Sequence, residues 1–280
     1  MGRPALSYIA IVSERPDRLA DFYQTYFSLT ELGRSDAGDV SVTDGHFNLT
    51  FLKRRAGLDE DEAGPGLHHF GLTIEDIDEI KARLKEYAPF ANLRQENGDL
   101  HHGEYRVTDP NGYPVSLSTR HFGVTPHPRG FPSLRHIAVS VPNREEVTDF
   151  FVNVFGFRET SVSQQRRATN QPARHLGDGT TNLAVLPDPD LIRQLGEERE
   201  IPAEYQAINT RPGLAHFGFV VQDMDAIMDR MPPELAGATN KRPTRRDMAE
   251  CRVFDPEWNG IDLSQRLGFE VEFDQWVRAD

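Results

Sequence analysis

The chain has 280 residues, of which 38% are hydrophobic and 27% charged, which predicts two globular domains and excludes extensive disorder. Its net charge of −13 disfavours nucleic acid and anionic membrane surfaces as partners, and no apolar run approaches the roughly 20 residues of a membrane-spanning helix. The N-terminus lacks a signal-peptide layout, and the single Cys251 cannot form an internal disulfide. These features predict a cytoplasmic protein.

Strand-like runs and amphipathic helical segments alternate along the chain. In the first half they follow in this order: Leu6–Val12 (strand), Arg15–Tyr26 (helix), Phe47–Leu52 (strand), Leu67–Ile74 (strand) and Asp76–Tyr87 (helix). The second half repeats the order: Leu134–Ser140, Arg144–Phe155, Thr181–Leu186, Leu214–Val221 and Asp223–Met231. Each half then ends in strands around an Asp-Pro turn, at Asp109 and Asp255.

The two halves are also similar in sequence. Four segments recur in order at offsets of 128 to 147 residues; for example, GLHHFGL at Gly66–Leu72 returns as GLAHFGF at Gly213–Phe219. We therefore predict domains at 1–122 and 131–267, joined by a Pro- and Gly-rich linker and followed by a tail at 268–280. Each half holds two βαβββ units. Because such a unit exposes one apolar sheet face, the units are expected to pair into mixed, cupped sheets of the α+β class.

The halves differ where chemistry is expected. On matching strands the second half carries His136, His216 and Asp262, whereas the first half keeps only the middle histidine and has Tyr8 and Ser116 at the other positions. Two histidines and one carboxylate leave open coordination positions and suit Fe(II), Mn(II) or a similar divalent ion. The alternative is that these are strand histidines with ordinary hydrogen bonds, since such long separations are not a local metal motif.

The fourfold unit, the strand starts LRHIAV and GLAHFGF and the segment FDPEWNGIDLS resemble the vicinal oxygen chelate superfamily over about residues 5–265. That superfamily includes glyoxalase I, the bleomycin and fosfomycin resistance proteins and the type I extradiol dioxygenases. The two-domain layout is most like the extradiol enzymes, in which the N-terminal domain is usually metal-free and the C-terminal domain holds Fe(II). The resemblance implies His136, His216 and Asp262 as ligands of Fe(II), with Mn(II) or Zn(II) as alternatives.

The sequence departs from the extradiol pattern at the residues that handle protons. That pattern has a histidine and a tyrosine before the Asp-Pro turn and a glutamate as the last ligand. Here Arg252 stands at the tyrosine position, the segment Lys241–Cys251 contains no histidine, and Asp262 is one methylene shorter than glutamate.

Two further residues are catalytic candidates. His175 is a candidate general base, and its alternative is an exposed loop histidine. Arg252 is a candidate clamp for a substrate carboxylate or phenolate. Its alternative is a structural ion pair with Glu250, matched in the first half by Arg106 and Glu104.

Three functional hypotheses follow. The first is a metal-dependent enzyme resembling extradiol ring-cleaving dioxygenases, which chelates a small, possibly aromatic substrate through vicinal oxygens. The second keeps the metal but performs an isomerase, lyase or hydrolase step without O2. The third is a metal-free binding or resistance protein. Relatives of this kind are commonly dimeric, so the resemblance also implies a homo-oligomer.

Overall fold

The structure of the protein is a computed structural model that describes residues 4–55, 65–96, 103–120, 130–168, 173–187, 212–236, 251–265 and 269. The strands of the first half are β1 (Ala5–Ser13), β2 (Thr30–Arg34), β3 (Val40–Thr43), β4 (Asn48–Lys53), β5 (Gly66–Thr73), β6 (Arg94–Gln95), β7 (Tyr105–Thr108) and β8 (Pro114–Ser118). Its helices are α1 (Pro16–Phe27) and α2 (Ile77–Tyr87).

The second half repeats this series with local changes. Its strands are β9 (Ser133–Ser140), β10 (Arg158–Glu159), β11 (Arg174–Gly177), β12 (Asn182–Leu186), β13 (Gly213–Val220), β14 (Cys251–Phe254) and β15 (Gly260–Ser264). Its helices are α3 (Arg144–Phe155), α4 (Ser161–Ala168), α5 (Met224–Met228) and α6 (Pro233–Ala236). The helix predicted to reach Met231 ends at Met228, and the next helix begins at Pro233, a residue that can start a helix but cannot continue one.

Each half forms one mixed sheet, as predicted. The strand order is β2-β3-β4-β1-β5-β8-β7-β6 in the first and β10-β11-β12-β9-β13-β15-β14 in the second. In both, the first strands of the two units pair antiparallel at the centre, and each pairs parallel with the last strand of its own unit. The protein is thus an α+β protein built from paired βαβββ units, and the centre of each sheet is where residues from both units meet.

Side chains alternate between the two faces of the second sheet. Ile137, Phe217 and Leu263 belong to the hydrophobic core. Their neighbours His136 and Asp262 point to the opposite face, which we call the cup face. Because the core-side residues are apolar on every central strand, the register of the sheet is fixed and the polar residues are held together on the cup face.

A reciprocal pair of hydrogen bonds joins the halves. The Leu6 N–H donates to Asp178 Oδ2 and the Leu134 N–H donates to Asp44 Oδ2, each at 2.7 Å. The donors are repeat equivalents, and so are the acceptors, so the two contacts are related by the internal symmetry of the repeat. Stacking of Phe27 from α1 on Phe219 from β13, at 4.6 Å between centroids, adds apolar contact across the same junction.

The buried Asp109 carboxyl predicts a pH-dependent stability difference. Burial raises the pKa of Asp109 from 3.8 to about 6, despite backbone hydrogen bonds that act in the other direction. The folded state therefore holds a proton that the unfolded state releases, and this contribution to stability is complete below about pH 3.8 and lost as the pH rises through about 6.

We expect Asp109→Asn to gain stability over the wild type as the pH rises, because the amide cannot ionise. The unfolding free energy of Asp109→Asn minus that of the wild type should rise by up to about 3 kcal/mol between about pH 4 and pH 8. Urea unfolding at several pH values measures it. A difference that stays constant across this range would contradict the expectation.

Candidate metal centre

One row of directly paired residues crosses the second sheet. Asn182 on β12 pairs with His136 on β9, which pairs with Gly218 on β13. Gly218 pairs in turn with Asp262 on β15, and Asp262 pairs with Arg252 on β14. Residues directly opposite each other in neighbouring strands share a face, so this register brings four polar side chains from four strands to one place on the cup face.

His136 and Asp262 of this row converge with His216, which lies two residues before Gly218 on β13. The His136 Nε2 and His216 Nε2 atoms lie 3.3 Å apart, and His216 Nε2 lies 3.4 Å from Asp262 Oδ2. All three residues are at most 5% exposed. Within the described part of the chain, these three are the one group of metal-ligating residues whose ligand atoms lie within 4.8 Å of one another.

These distances fit a shared divalent ion. Donor atoms about 2.1 Å from a metal lie about 3.0 Å apart at right angles and about 3.4 Å apart in a tetrahedron. The His136–His216 distance of 3.3 Å and the His216–Asp262 distance of 3.4 Å lie in this range. The donor set of two imidazoles and one carboxylate suits Fe(II), Mn(II) or Zn(II). The residues therefore fit a divalent metal ion of this group.

Behind the ligands, Asn182 contacts two histidines. Its Oδ1 lies 2.8 Å from His136 Nδ1 and 3.4 Å from His175 Nδ1. An amide oxygen only accepts, so His136 carries its proton on Nδ1 and presents Nε2 as a lone pair toward the ligand cluster. Sequence reasoning missed Asn182, although the same asparagine occurs in both halves, as Asn48 and Asn182.

His175 lies in the second layer of the site. It sits on β11 with no exposed surface, so the alternative of an exposed loop histidine is wrong. The backbone N–H of His175 donates to Ser163 Oγ, and its ring approaches Asn182. Its place is beside the amide that holds His136.

Arg252 lies in the site itself. Its Nε donates a hydrogen bond to Asp262 Oδ1, and both side chains are at most 5% exposed. The partner suggested by the sequence, Glu250, lies outside the described residues. Asp262 thus faces Arg252 with one oxygen and His216 with the other.

The matching ion pair predicted in the first half is wrong. Arg106 Nε lies 3.8 Å from Glu96 Oε1. The Glu104 carboxylate instead accepts hydrogen bonds from the Thr119 N–H and hydroxyl, both at 2.7 Å, and from Arg120. The proximity of Glu104 and Arg106 in the EYR segment therefore did not indicate pairing.

The first half repeats the row without its ligands. There Asn48, Tyr8, Gly71, Ser116 and Arg106 pair in the same register. The Tyr8 ring covers Gly71, where a Cβ would collide with it. Its hydroxyl lies 3.3 Å from the Nε2 atom of the remaining histidine, His69. An aromatic ring therefore occupies the middle of the row in this half.

The ring of Phe269 lies beside the candidate metal centre of the second half. It stacks on His136 with 4.6 Å between centroids and 6° between planes. A Cβ on Gly218 would lie 2.5 Å from Phe269 Cζ, so only glycine leaves room for the ring there. Sequence reasoning missed Phe269 because the tail has no counterpart in the first half.

Both halves of the chain match a known protein superfamily. Residues 5–117 match a family model described as the Glyoxalase/Bleomycin resistance protein/Dioxygenase superfamily, and residues 135–252 match a second model with the same description. A probable chloroplastic lactoylglutathione lyase from Arabidopsis thaliana is 26% identical over 152 residues, which cover 50% of this chain and 41% of that protein. The chain thus spans about two fifths of the length of this curated relative.

Solved structures share the fold at low sequence identity. The Mn(II)-bound glyoxalase from Novosphingobium aromaticivorans has a TM-score of 0.65 and 17% identity, with 98% of this chain and 86% of that chain covered. Homoprotocatechuate 2,3-dioxygenase from Arthrobacter globiformis has a TM-score of 0.64 and 14% identity, with 95% and 80% covered. No helix among the described residues is long and apolar enough to cross a bilayer. With both halves matched, the chain belongs to the glyoxalase/bleomycin resistance protein/dioxygenase superfamily, that is, to the vicinal oxygen chelate proteins.

Proposed function

We propose that the chain is a metal-dependent enzyme that binds one divalent ion through His136, His216 and Asp262. The observation that carries the proposal is the spacing of the three buried ligand atoms, with 3.3 and 3.4 Å edges. A bound divalent ion would act as a Lewis acid and hold a substrate through two adjacent oxygens.

The charges of the site favour an anionic substrate. Two neutral imidazoles and one carboxylate would leave one positive charge on a divalent centre, and the Arg252 guanidinium adds a second. A local pocket of this sign can attract an anion although the chain carries a net charge of −13. A catecholate or an enediolate, which presents vicinal oxygens with negative charge, is the class of substrate that fits.

For the reaction we propose extradiol cleavage of a catechol first. Two histidines and one carboxylate with open positions are the donor set of non-haem Fe(II) oxygenases, which supports Fe(II) as the metal. The likeness to homoprotocatechuate 2,3-dioxygenase in fold supports the same choice. In this proposal Arg252 would hold the substrate's ionised oxygen or carboxylate close to Asp262.

An isomerase or lyase step on an enediolate is the second candidate. It is favoured by Arg252, which occupies the place of the extradiol tyrosine and is engaged with the ligand Asp262. An arginine stays protonated and does not transfer protons at neutral pH. The relatives named as a Mn(II)-bound glyoxalase and a probable lactoylglutathione lyase support this candidate.

We propose that His175 acts through Asn182 rather than at the substrate. Both His175 Nδ1 and His136 Nδ1 approach the same Asn182 oxygen. A second donor to that oxygen would hold the amide in the orientation that keeps Nε2 of His136 available. The role is therefore positioning of a ligand, and a general base has to come from the substrate or from elsewhere in the chain.

One experiment separates these reactions. Protein purified without oxygen is analysed for metal, reconstituted with Fe(II) or Mn(II), and assayed for O2 uptake with a panel of catechols. Uptake that depends on Fe(II) and catechol supports ring cleavage. Metal binding without uptake, together with metal-dependent exchange of the carbon-bound proton of α-hydroxy carbonyl compounds in D2O, supports the enediolate step. Protein that binds no divalent metal would overturn both.

Asn182→Ala should weaken metal binding by about 10- to 100-fold, because His136 loses the acceptor that fixes its tautomer. Isothermal titration with Mn(II) measures the affinity. Asn48→Ala, at the equivalent position of the first half, is the matched control and should bind Mn(II) like the wild type. Equal losses in both variants would contradict this role for Asn182.

The remaining features stay predictions of the sequence. They are the domain boundaries at 1–122 and 131–267, the tail at 268–280, a cytoplasmic location and a homo-oligomeric state. We propose a small organic molecule as the substrate partner, and neither nucleic acid nor membrane is expected to bind.

A further inference from the structure

Phe269 contacts the candidate metal centre at two points. Its ring lies parallel to the His136 imidazole, at 4.6 Å and 6°, and its tip rests above Gly218 in the row of paired residues. The side chain is 4% exposed. Phe269 is therefore an integral part of the cup face, although it comes from outside the repeated units.

The first half shows which space Phe269 fills. There the Tyr8 ring stands at the position of His136 and itself covers Gly71, the equivalent of Gly218. In the second half the first-strand residue is a histidine whose Nε2 turns toward His216, 3.3 Å away. This leaves the space above Gly218 to be filled by another ring, and Phe269 supplies it.

The contacts of His136 indicate what the ring does. Asn182 accepts the Nδ1 proton at 2.8 Å, which sets the tautomer but permits the imidazole to tilt about that hydrogen bond. A ring stacked at 6° on one imidazole face opposes this tilt, because a tilt would push one edge of the imidazole against the Phe269 ring. The hydrogen bond and the stack together fix the direction in which Nε2 points.

We propose that Phe269 is a positioning residue of the metal centre, which fixes the plane of the His136 imidazole so that Nε2 points at the ion. The effect on metal binding rests on the proposed function, whereas the stacking on His136 does not. Metal affinity in this chain then depends on a residue that the repeat does not contain.

Co(II) titration of the full chain tests the consequence for the metal. Phe269→Ala and Phe269→Leu should weaken Co(II) binding by about 10- to 100-fold and alter its visible absorption spectrum, which reports ligand geometry. Phe150→Ala, which removes an equally buried ring from α3, should lower the melting temperature and leave Co(II) affinity and spectrum unchanged.

The leucine variant keeps apolar volume in place, so a folding defect of the alanine variant does not obscure the result. Wild-type affinity and spectrum in Phe269→Leu would overturn the proposal. In the metal-free protein the His136 ring protons should show an upfield NMR shift that Phe269→Leu abolishes. If the wild type binds no Co(II), the proposed function fails, and the NMR shift alone tests the stacking of Phe269 on His136. An upfield shift in the wild type that is lost in Phe269→Leu supports the stacking. A wild type without the upfield shift overturns it.

Discussion

Replacing His216 with alanine is expected to abolish metal binding and to lower activity by at least about 10³-fold. His216 lies between the other two ligands, 3.3 Å from His136 Nε2 and 3.4 Å from Asp262 Oδ2. Its loss leaves one imidazole and one carboxylate, and Asp262 also has Arg252 as a partner. Chemistry that depends on the ion as Lewis acid should then fall to the background rate. Metal content after reconstitution and the turnover of the identified substrate measure the effect.

The chain supplies its own control for this variant. His69 occupies the same position in the first half and is also buried, but its ring contacts Tyr8 and His68. Tyr8 and Ser116 stand there in place of His136 and Asp262. His69→Ala should keep the metal and the activity of the wild type. Loss of metal in His69→Ala, or normal metal content in His216→Ala, would refute the assignment of the centre to the second half.

A second large effect is expected in the opposite direction, as a gain of metal. The double variant Tyr8→His, Ser116→Asp should bind two divalent ions per chain where the wild type binds one. The substitutions place a histidine and a carboxylate in the row that already contains Asn48, Gly71 and Arg106, in the register of the second half.

The other polar residues of that site already exist in the first half, although no residue there corresponds to Phe269. His69 corresponds to His216, and Arg106 faces position 116 as Arg252 faces position 262. Asn48 Oδ1 is buried and has no hydrogen-bond partner among the described residues, so it is available to accept the Nδ1 proton of a histidine at position 8. Removal of the Tyr8 ring also frees the space above Gly71.

Mass spectrometry of the metal-loaded protein under native conditions gives the number of ions directly. We expect two in the double variant and one in Tyr8→His or Ser116→Asp alone, since two ligands of the first half are too few for tight binding. A double variant that folds and still binds one ion would show that register and donor set do not suffice to build the centre.

Much of this site could be predicted because the sequence contains its own reference. The repeat aligns Tyr8 with His136 and Ser116 with Asp262, so the differences between the halves single out potential ligands. Alternation along the strands then predicts a shared face for these residues, since apolar Ile137 and Phe217 lie in the core and their neighbours point the other way. The pairing of the units and the cluster of candidate ligands could therefore be predicted from pattern and resemblance.

Comparison of the two halves could not identify Asn182 or Phe269 as residues of the site. Asn182 has an identical counterpart in Asn48, so a search for differences between the halves passes over it. Phe269 has no counterpart at all. The partner of Arg106 was predicted wrongly because Glu104 precedes it in sequence, whereas the fold places Glu96 nearer to its guanidinium and Thr119 against Glu104. Contacts between strands depend on register that neighbouring sequence does not specify.

The central claim is that one ion binds between His136, His216 and Asp262, and anomalous X-ray diffraction from crystals of the Mn(II)-loaded protein tests it most directly. We expect a single strong peak per chain, about 2.0–2.3 Å from His136 Nε2, His216 Nε2 and an Asp262 carboxylate oxygen. A Mn(II) peak at any other place in the chain, or none between these three side chains in protein shown to bind Mn(II) in solution, would contradict it.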